Sequence, residues 1–174
     1  TLQARINGYL QLNGNKYPAQ AIHRIDYETS GLVLFCKHPF FQAYCDKNME
    51  EHHIKKDYIA LVQGHTNYKN KKIVSNIARD RHNAKKMIIH PNGKESISIF
   101  NTLKNYKDYS LIQVTILTGR KHQIRVQCAS LKHPILNDSL YGGKRIDNTG
   151  LLLQSHHIQF NDIDVICPQE KRFI

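Results

Sequence analysis

Asp26 lies in a segment, His23 to Leu32, whose residue types suit a chemically active carboxylate. Arg24 precedes it by two positions, and the turn-forming sequence Thr29-Ser30-Gly31 follows it. Positive charge beside a carboxylate favours the ionised form, and an ionised carboxylate can act as a nucleophile or a base. The alternative is an Asp that only caps the turn through side-chain hydrogen bonds.

A second segment, Leu117 to Val126, concentrates groups that bind anions and donate hydrogen bonds. Its polar members include Arg120, His122, Gln123 and Arg125. Arginine stays charged and offers a planar fork that matches a carboxylate, so Arg125 is a candidate partner for a functional acid. The usual alternative is an arginine on a solvated helix surface.

The third candidate is Tyr58, in the alternating segment Lys55 to Gly64. Alternation places Tyr58, Ala60 and Val62 on one face of a strand. A tyrosine at such a position packs in the core, stacks on a planar ligand, or does both.

Together the three segments resemble the RluA-type pseudouridine synthases. That family carries HRLD-x-x-TSG, K-x-Y-x-A-x-V-x-G and TGR-x-HQ-[IL]-R segments, and this chain departs from the first only by Ile25 in place of Leu. The resemblance implies that Asp26 is the catalytic residue, that Arg125 pairs with it, and that Tyr58 stacks on the target base. It also implies substrate-binding roles for Arg24, Arg120, His122 and Gln123.

The activity implied by this resemblance is the isomerisation of uridines in ribosomal or transfer RNA to pseudouridine. The target nucleotide is flipped from its stack, the N-glycosidic bond breaks, and the uracil is rejoined through carbon 5. Asp26 either adds to the ribose or removes its 2′ proton to give a glycal, and both routes stay open. No cofactor and no metal is implied.

The composition favours an RNA partner. The formal charge is +11 and the sequence pI is near 9.6, which is typical of nucleic-acid-binding domains. Positive charge is concentrated at Lys69 to Lys72 and at Arg79 to Lys86. A basic balance alone predicts a polyanion partner only weakly, so the clusters carry most of this argument.

The spacing of cysteine and histidine argues against a metal site. The four cysteines form no CxxC pair and no HExxH is present, so reduced thiols in a cytoplasmic protein are the simplest interpretation. No apolar run is long enough to span a bilayer. We expect a monomer that contacts RNA and no membrane.

Turn signals occur at regular intervals along the chain. This pattern predicts an α+β fold, with a large mainly antiparallel mixed sheet and a few flanking helices. We expect a helix from Pro39 to about His52 and a strand over 56–64. A helix of about 12 residues is predicted to start at Thr118 as its N-cap. Two short strands are expected at Gly150 to Ser155 and at His157 to Phe160.

We expect residues 1–174 to form one catalytic domain. Family members usually have an earlier strand pair and a Lys-Pro-x-Gly loop, which this chain lacks before Thr1, and no S4-type RNA-binding module is present. A non-catalytic RNA-binding protein on the same scaffold is therefore an alternative. A two-carboxylate glycosidase fits poorly, because Asp138 in its Asn-Asp-Ser context indicates a turn and not a second acid.

Overall fold

The computed structural model describes residues 1–173, in which a mixed sheet carries three helices. The helices are α1 (Leu2–Leu12), α2 (Gln42–Glu50) and α3 (Gln123–Ser130), with 3₁₀ turns at Pro39–Phe41 and Lys171–Phe173. The strands are β1 (Gln20–Ala21), β2 (Ser30–Gly31), β3 (Phe35–Cys36), β4 (Lys55–Gln63), β5 (Lys71–Arg79), β6 (Met87–Ile89), β7 (Lys94–Asn105), β8 (Tyr109–Ile116), β9 (Leu153–Phe160) and β10 (Ile163–Ile166).

Eight of these strands form one sheet. Seven follow the order β10-β9-β4-β8-β7-β5-β6, all antiparallel, and the short β2 pairs in parallel with β9. Strands β1 and β3 make a separate antiparallel pair. The predicted α+β class with a mainly antiparallel mixed sheet is confirmed.

Strand β4 is the centre of the molecule. It lies between β8 and β9, and every residue from Lys56 to Val62 is buried. The predicted alternation is present, but both faces are covered, as expected for a central strand. Burying one large apolar side chain contributes roughly 1.5–3 kcal/mol, and the main core around β4 includes Ile59, Phe100, Ile112, Ile124, Leu152 and Phe173.

Helix α2 is shorter than predicted. Pro39 begins a 3₁₀ turn capped by the His38 side chain, and α2 itself starts only at Gln42. Its residue Cys45 packs in a second core cluster with Cys36, Ile54, Ile158 and Phe160. The helix thereby brings Met49 to the edge of β4.

The predicted start of α3 at Thr118 is wrong. The helix begins at Gln123, because His122 has a left-handed backbone with φ 55° that an α-helix cannot include. The Thr118 hydroxyl donates to Gln123 Oε1 at 3.0 Å and accepts from the Ile97 amide at 2.9 Å. Thr118 therefore ties the preceding loop to β7 and does not cap the helix.

The two short strands predicted between Gly150 and Phe160 are one strand, β9. It runs through His156 without a break, and its pairing with β4 shifts register between Asp57 and Tyr58. This irregularity is a β-bulge, which accommodates one extra residue without ending the strand. The sequence alternation on the two sides of the bulge is out of phase, which explains the prediction of two strands.

Candidate active site

Asp26 lies in the loop between β1 and β2, where the following turn closes with a hydrogen bond from the Thr29 amide to the Asp26 carbonyl at 3.0 Å. Thr29 is buried. Gly31 has φ +102°, and a Cβ there would lie 2.1 Å from the Ser155 carbonyl oxygen. Only glycine fits this backbone and this close approach, so Gly31 seats the Asp26 loop directly on β9.

A residue from the far end of the chain also holds this loop. Arg172 donates to the Ser30 hydroxyl at 2.8 Å and to the Thr149 carbonyl at 2.7 Å. The following Phe173 is fully buried in the main core. The C-terminal turn therefore supports the Asp26 loop from behind, and no local pattern around Arg172 indicates this role.

Arg125 is the most tightly held charge of the site. Arg125 is 3% exposed, and its guanidinium makes a bidentate pair with Asp138, with both N–O distances at 2.8 Å. A weaker contact at 3.4 Å reaches Glu28. Burial opposes the charge of Arg125, but the hydrogen bonds and charge of Asp138 outweigh it and raise the arginine pKa.

The pairing of Arg125 with Asp26 expected from the resemblance is absent in this structure. Within residues 1–173, the fork of Arg125 is occupied by Asp138 and Glu28, and the Asp26 carboxylate makes no hydrogen bond or ion pair. Asp138 does lie in a turn, as predicted, but it is 1% exposed and is the partner of Arg125. The sequence did not indicate the contact of Asp138 with Arg125, which only the fold shows.

Tyr58 lies on β4 with 5% of its surface exposed. Burial raises the pKa of its hydroxyl to about 12, and the charge of Asp26 acts in the same direction. The hydroxyl is therefore protonated at neutral pH and available as a donor. Tyr58 and Asp26 line the same cleft.

A cleft of about 700 Å³ joins these side chains. Six of the seven predicted site residues line it: Arg24, Asp26, Tyr58, Arg120, Gln123 and Arg125. Its size falls within the range of small-molecule sites and is ample for one flipped nucleotide. The fold thus brings together residues that are almost one hundred positions apart in the sequence.

Gln123 lines the cleft, but protein groups use its amide fully. Its oxygen accepts from Thr118 and from the Arg120 amide, both at 3.0 Å. Its nitrogen donates to Ile97 O at 3.0 Å and to Ser98 Oγ at 2.8 Å. Gln123 therefore orders the loop before α3, which leaves no free donor for a substrate.

His122 is the predicted residue that does not line the cleft. Its ring is buried behind the wall, with Nδ1 at 2.8 Å from the Tyr141 hydroxyl. That hydroxyl also accepts from the Met87 amide at 2.9 Å, and the Tyr141 ring lies 5.2 Å from the Arg125 guanidinium carbon. Burial lowers the pKa of His122, so its neutral form is favoured.

The exposed part of the cleft lining carries three positive side chains, Arg24, Arg120 and Lys121, and two negative ones, Glu50 and Glu95. Arg24 and Arg120 are exposed, Lys121 lies beside them, and Arg120 donates to the Glu95 carbonyl at 2.9 Å. The guanidinium of Arg24 has no protein partner within residues 1–173. It is therefore free to bind an anionic group. Phosphate groups are suited to these positions.

Residues 1–173 contain no cluster of three or more His, Cys, Asp or Glu side chains that could hold a metal ion. In the same part of the chain, no helix has both the length and the apolar character needed to cross a bilayer.

The fold and the cleft define an α+β protein whose site combines a free carboxylate, a buried tyrosine and a paired arginine. A sequence profile described as RNA pseudouridylate synthase matches residues 3–130, and the chain belongs to this family. The resemblance to its RluA-type branch is confirmed by curated relatives named ribosomal large subunit pseudouridine synthases C and D.

Two relatives and two solved structures illustrate the match. An uncharacterized RNA pseudouridine synthase of Bacillus subtilis is 38% identical over 170 residues, which are 97% of this chain and 55% of the relative. The ribosomal large subunit pseudouridine synthase D of Borreliella burgdorferi is 34% identical over 95% of this chain and 51% of the relative. The chain thus spans about half the length of these curated relatives.

Among solved structures, human RNA pseudouridylate synthase domain containing 1 superposes with a TM-score of 0.79 at 24% identity, over 95% of this chain and 75% of that one. Human RNA pseudouridylate synthase domain containing 4 gives 0.80 at 17% identity, over 99% and 80%. At these identities the likeness concerns the fold alone.

Proposed function

We propose that residues 1–174 form the catalytic domain of an RNA pseudouridine synthase, with Asp26 as the catalytic residue. The observation that carries the proposal is the free carboxylate of Asp26 on the wall of a cleft that also presents Tyr58 and Arg125. Buried or half-buried carboxylates usually have protein partners. A carboxylate left without one in a cleft is a candidate for reaction with a ligand.

The reaction is an internal rearrangement of a uridine. Asp26 attacks the ribose or removes its 2′ proton, the N-glycosidic bond breaks, and the freed uracil turns within the cleft. A bond then forms between ribose carbon 1′ and uracil carbon 5, and Asp26 leaves carbon 1′ or returns the 2′ proton. Carbon 5 loses its proton to solvent, and N1 takes one up. Reactant and product have the same atoms, so the proposed chemistry requires neither an oxidant nor a cofactor.

Tyr58 is proposed to stack on the uracil and to donate a hydrogen bond. Its hydroxyl has a pKa of about 12, so it is a poor base at neutral pH. Aromatic stacking on a base contributes roughly 1–3 kcal/mol. This contact holds the detached uracil in the cleft while it turns.

Arg125 is proposed to act on Asp26 at a distance. Asp138 holds the guanidinium in place, and the Asp26 charge contributes to the raised pKa of Arg125. The two opposite charges therefore attract each other without a direct contact. Since the fork is occupied by Asp138, Asp26 keeps both oxygens free for the substrate.

The proposed substrate is RNA, with Arg24 and Arg120 at the phosphate backbone and the target nucleotide flipped into the cleft. The charge of +11 supports a polyanionic partner. Ribosomal RNA is favoured by the names of two relatives, ribosomal large subunit pseudouridine synthases C and D, and transfer RNA is the other candidate. The monomeric state and the cytoplasmic location stay predictions.

Release of tritium from RNA labelled at carbon 5 of uridine tests this function. Asp26→Asn keeps the side-chain volume and removes the charge, so we expect turnover to fall at least about a thousandfold. RNA affinity should stay within about threefold. Unmodified ribosomal and transfer RNA are the two substrate pools.

Asp46→Asn is the matched control, because Asp46 is an exposed residue of α2 whose one side-chain hydrogen bond within residues 1–173 comes from Gln42 at 2.8 Å. It should release tritium at the wild-type rate. Turnover by Asp26→Asn above about a tenth of that rate would refute the role of Asp26. RNA binding without release by the wild type would favour the non-catalytic alternative.

A further inference from the structure

Lys56 is a buried cation on the wall of the cleft. It is the second residue of β4, two positions before Tyr58, and only 4% of its surface is exposed. Lysine is almost never buried to this extent without a partner. Its position beside the reacting groups makes its contacts informative.

The contacts of Lys56 leave its charge unbalanced. Its Nζ lies 3.0 Å from the Met49 sulfur, and it has no ion pair within residues 1–173. An ammonium group has three donors, whereas a thioether is a weak acceptor. At least two donors and the whole positive charge therefore have no adequate protein acceptor.

The groups around Lys56 do not supply the missing charge. His23, from the β1–β2 loop, has a buried Nδ1 without a hydrogen-bond partner, and burial lowers its pKa to about 4, so it is neutral. From α2, Met49 contributes its sulfur and Glu50 an exposed carboxylate that makes no ion pair with Lys56. The next residue of β4, Asp57, is outside the lining of the cleft.

We propose that Lys56 binds a phosphate oxygen of the RNA nucleotide that enters the cleft. The proposal depends on the function proposed above, since that function makes RNA the ligand. Each nucleotide brings one anionic phosphate, which can balance the ammonium charge and accept its hydrogen bonds. A uracil carbonyl would accept one bond and leave the charge unbalanced.

A consequence is that Lys56 destabilises the free protein. Burial lowers its pKa to about 8, so the lysine is still mostly protonated at pH 7. An isolated charge away from water is costly. A ligand phosphate would recover this cost on binding, so Lys56 would trade stability for affinity.

Lys56→Met is the first test, because it keeps the length of the side chain and removes the charge. We expect KM for tritium-labelled RNA to rise about tenfold, with kcat within about threefold. The slope of log affinity against log salt should fall by about 0.7, the value for one phosphate contact on a single strand. The melting temperature should rise, and Lys56→Arg should recover most of the affinity.

Lys16→Met is the matched control. Lys16 is exposed in the segment after α1, so the variant has the same net charge as Lys56→Met but keeps the cleft intact. It should show wild-type KM, salt slope and melting temperature. A loss of kcat at unchanged KM in Lys56→Met would overturn the proposal and indicate a role in the chemistry. Unchanged kinetics and affinity would overturn it as well.

A second measurement does not need turnover. Melting temperatures are recorded with uridine 5′-monophosphate and with uridine as probes. We expect the monophosphate to stabilise the wild type and Lys16→Met more than uridine does, and Lys56→Met to lose this difference. An equal effect of both probes on the wild type would refute a phosphate site. A phosphate effect without tritium release would refute only the proposed activity.

Discussion

Lys56 and Asp57 are consecutive residues of β4, and both carry a buried charge, but only one of them is paired. Asp57 is fully buried and accepts hydrogen bonds from Thr115 and from His157, the latter at 3.0 Å, and pairs with Lys55 at 3.3 Å. Within the described part of the chain, the only hydrogen-bond acceptor of the Lys56 side chain is the Met49 sulfur. The charge of Asp57 is balanced within the fold, whereas the charge of Lys56 is the one that we propose a ligand balances.

The same contrast separates Arg125 from Asp26. Both carboxylate oxygens of Asp138 accept hydrogen bonds from the Arg125 guanidinium, while Asp26 has no side-chain partner within residues 1–173. In each comparison, within residues 1–173, one group is paired and the other, which lines the cleft, has no ion pair. Since buried charges normally require partners, a missing partner is a better sign of function here than the residue type.

The largest effect is expected where a buried pair is broken. Asp138→Asn keeps the shape but leaves the Arg125 guanidinium without its bidentate acceptor. We expect the free energy of unfolding to fall by about 3 kcal/mol. Turnover should also fall, because the released guanidinium can turn towards Asp26. Urea denaturation and tritium release measure the two effects.

Glu28→Gln is the control for this prediction. Glu28 meets the same guanidinium at 3.4 Å, but its side chain is 53% exposed. Exposed pairs contribute about 1 kcal/mol or less, so the loss should be much smaller. An equal loss in the two variants would contradict the view that Asp138 is the main partner of Arg125.

A smaller effect on stability, without an effect on catalysis, is expected at Asp57. Burial opposes its charge, but the hydrogen bonds from Thr115 and His157 outweigh it and lower the carboxyl pKa. Asp57→Asn should therefore cost about 2 kcal/mol, with kcat and KM within about threefold of the wild type. Denaturant titration and tritium release check both.

A destabilised Asp57→Asn variant with unchanged kinetics would sharpen the comparison between Asp57 and Lys56, because Lys56→Met is expected to stabilise the protein and weaken RNA binding. Opposite signs at neighbouring positions would show that the two charges serve different purposes. A selective loss of RNA affinity in Asp57→Asn, with an unchanged unfolding energy, would break the distinction.

The smallest effect is the dependence of stability on pH at His157. Hydrogen bonds to Asp57 and Asp164 raise the pKa of His157 above its usual 6.5. The histidine therefore contributes stability that is complete below pH 6.5 and is lost as the pH rises through its folded pKa. We expect a contribution of less than about 1 kcal/mol, because the cluster is partly solvated.

In His157→Gln, this loss of stability with rising pH should be absent. Unfolding free energies measured below and above neutral pH, for the variant and the wild type, check this. His23 has the opposite sign, since its lowered pKa removes stability as the pH falls from 6.5 towards about 4. Measurements above pH 6.5 avoid the range of His23. Comparison of His157→Gln with the wild type at each pH separates His157 from Lys56, whose pKa is lowered to about 8. A steeper pH dependence in His157→Gln would contradict the assignment.

The sequence predicted the fold well where patterns are local and regular. Strand β4 was expected over 56–64 and spans Lys55–Gln63. The start of α3 was misplaced, because the left-handed residue His122 has no signal in side-chain pattern. Strand β9 was divided in two, because a bulge changes the alternation without ending the strand.

The candidate site was predicted from motifs, and the structure groups six of its seven residues in one cleft. Whether they act as proposed is for the experiments to decide. The sequence did not indicate the burial of Lys56 or the contacts of Asp138 and Arg172. Their types are ordinary, and only their burial and contacts distinguish them.

The sequence by itself determined the family and the groups that carry the proposed chemistry, because these are encoded in short segments of specific residues. The tertiary structure decided which charges are paired. His157 reaches Asp57 from 100 positions away, and Arg172 reaches Ser30 from 142. Pairing depends on distance and burial, which a chain acquires only when segments remote in sequence pack together.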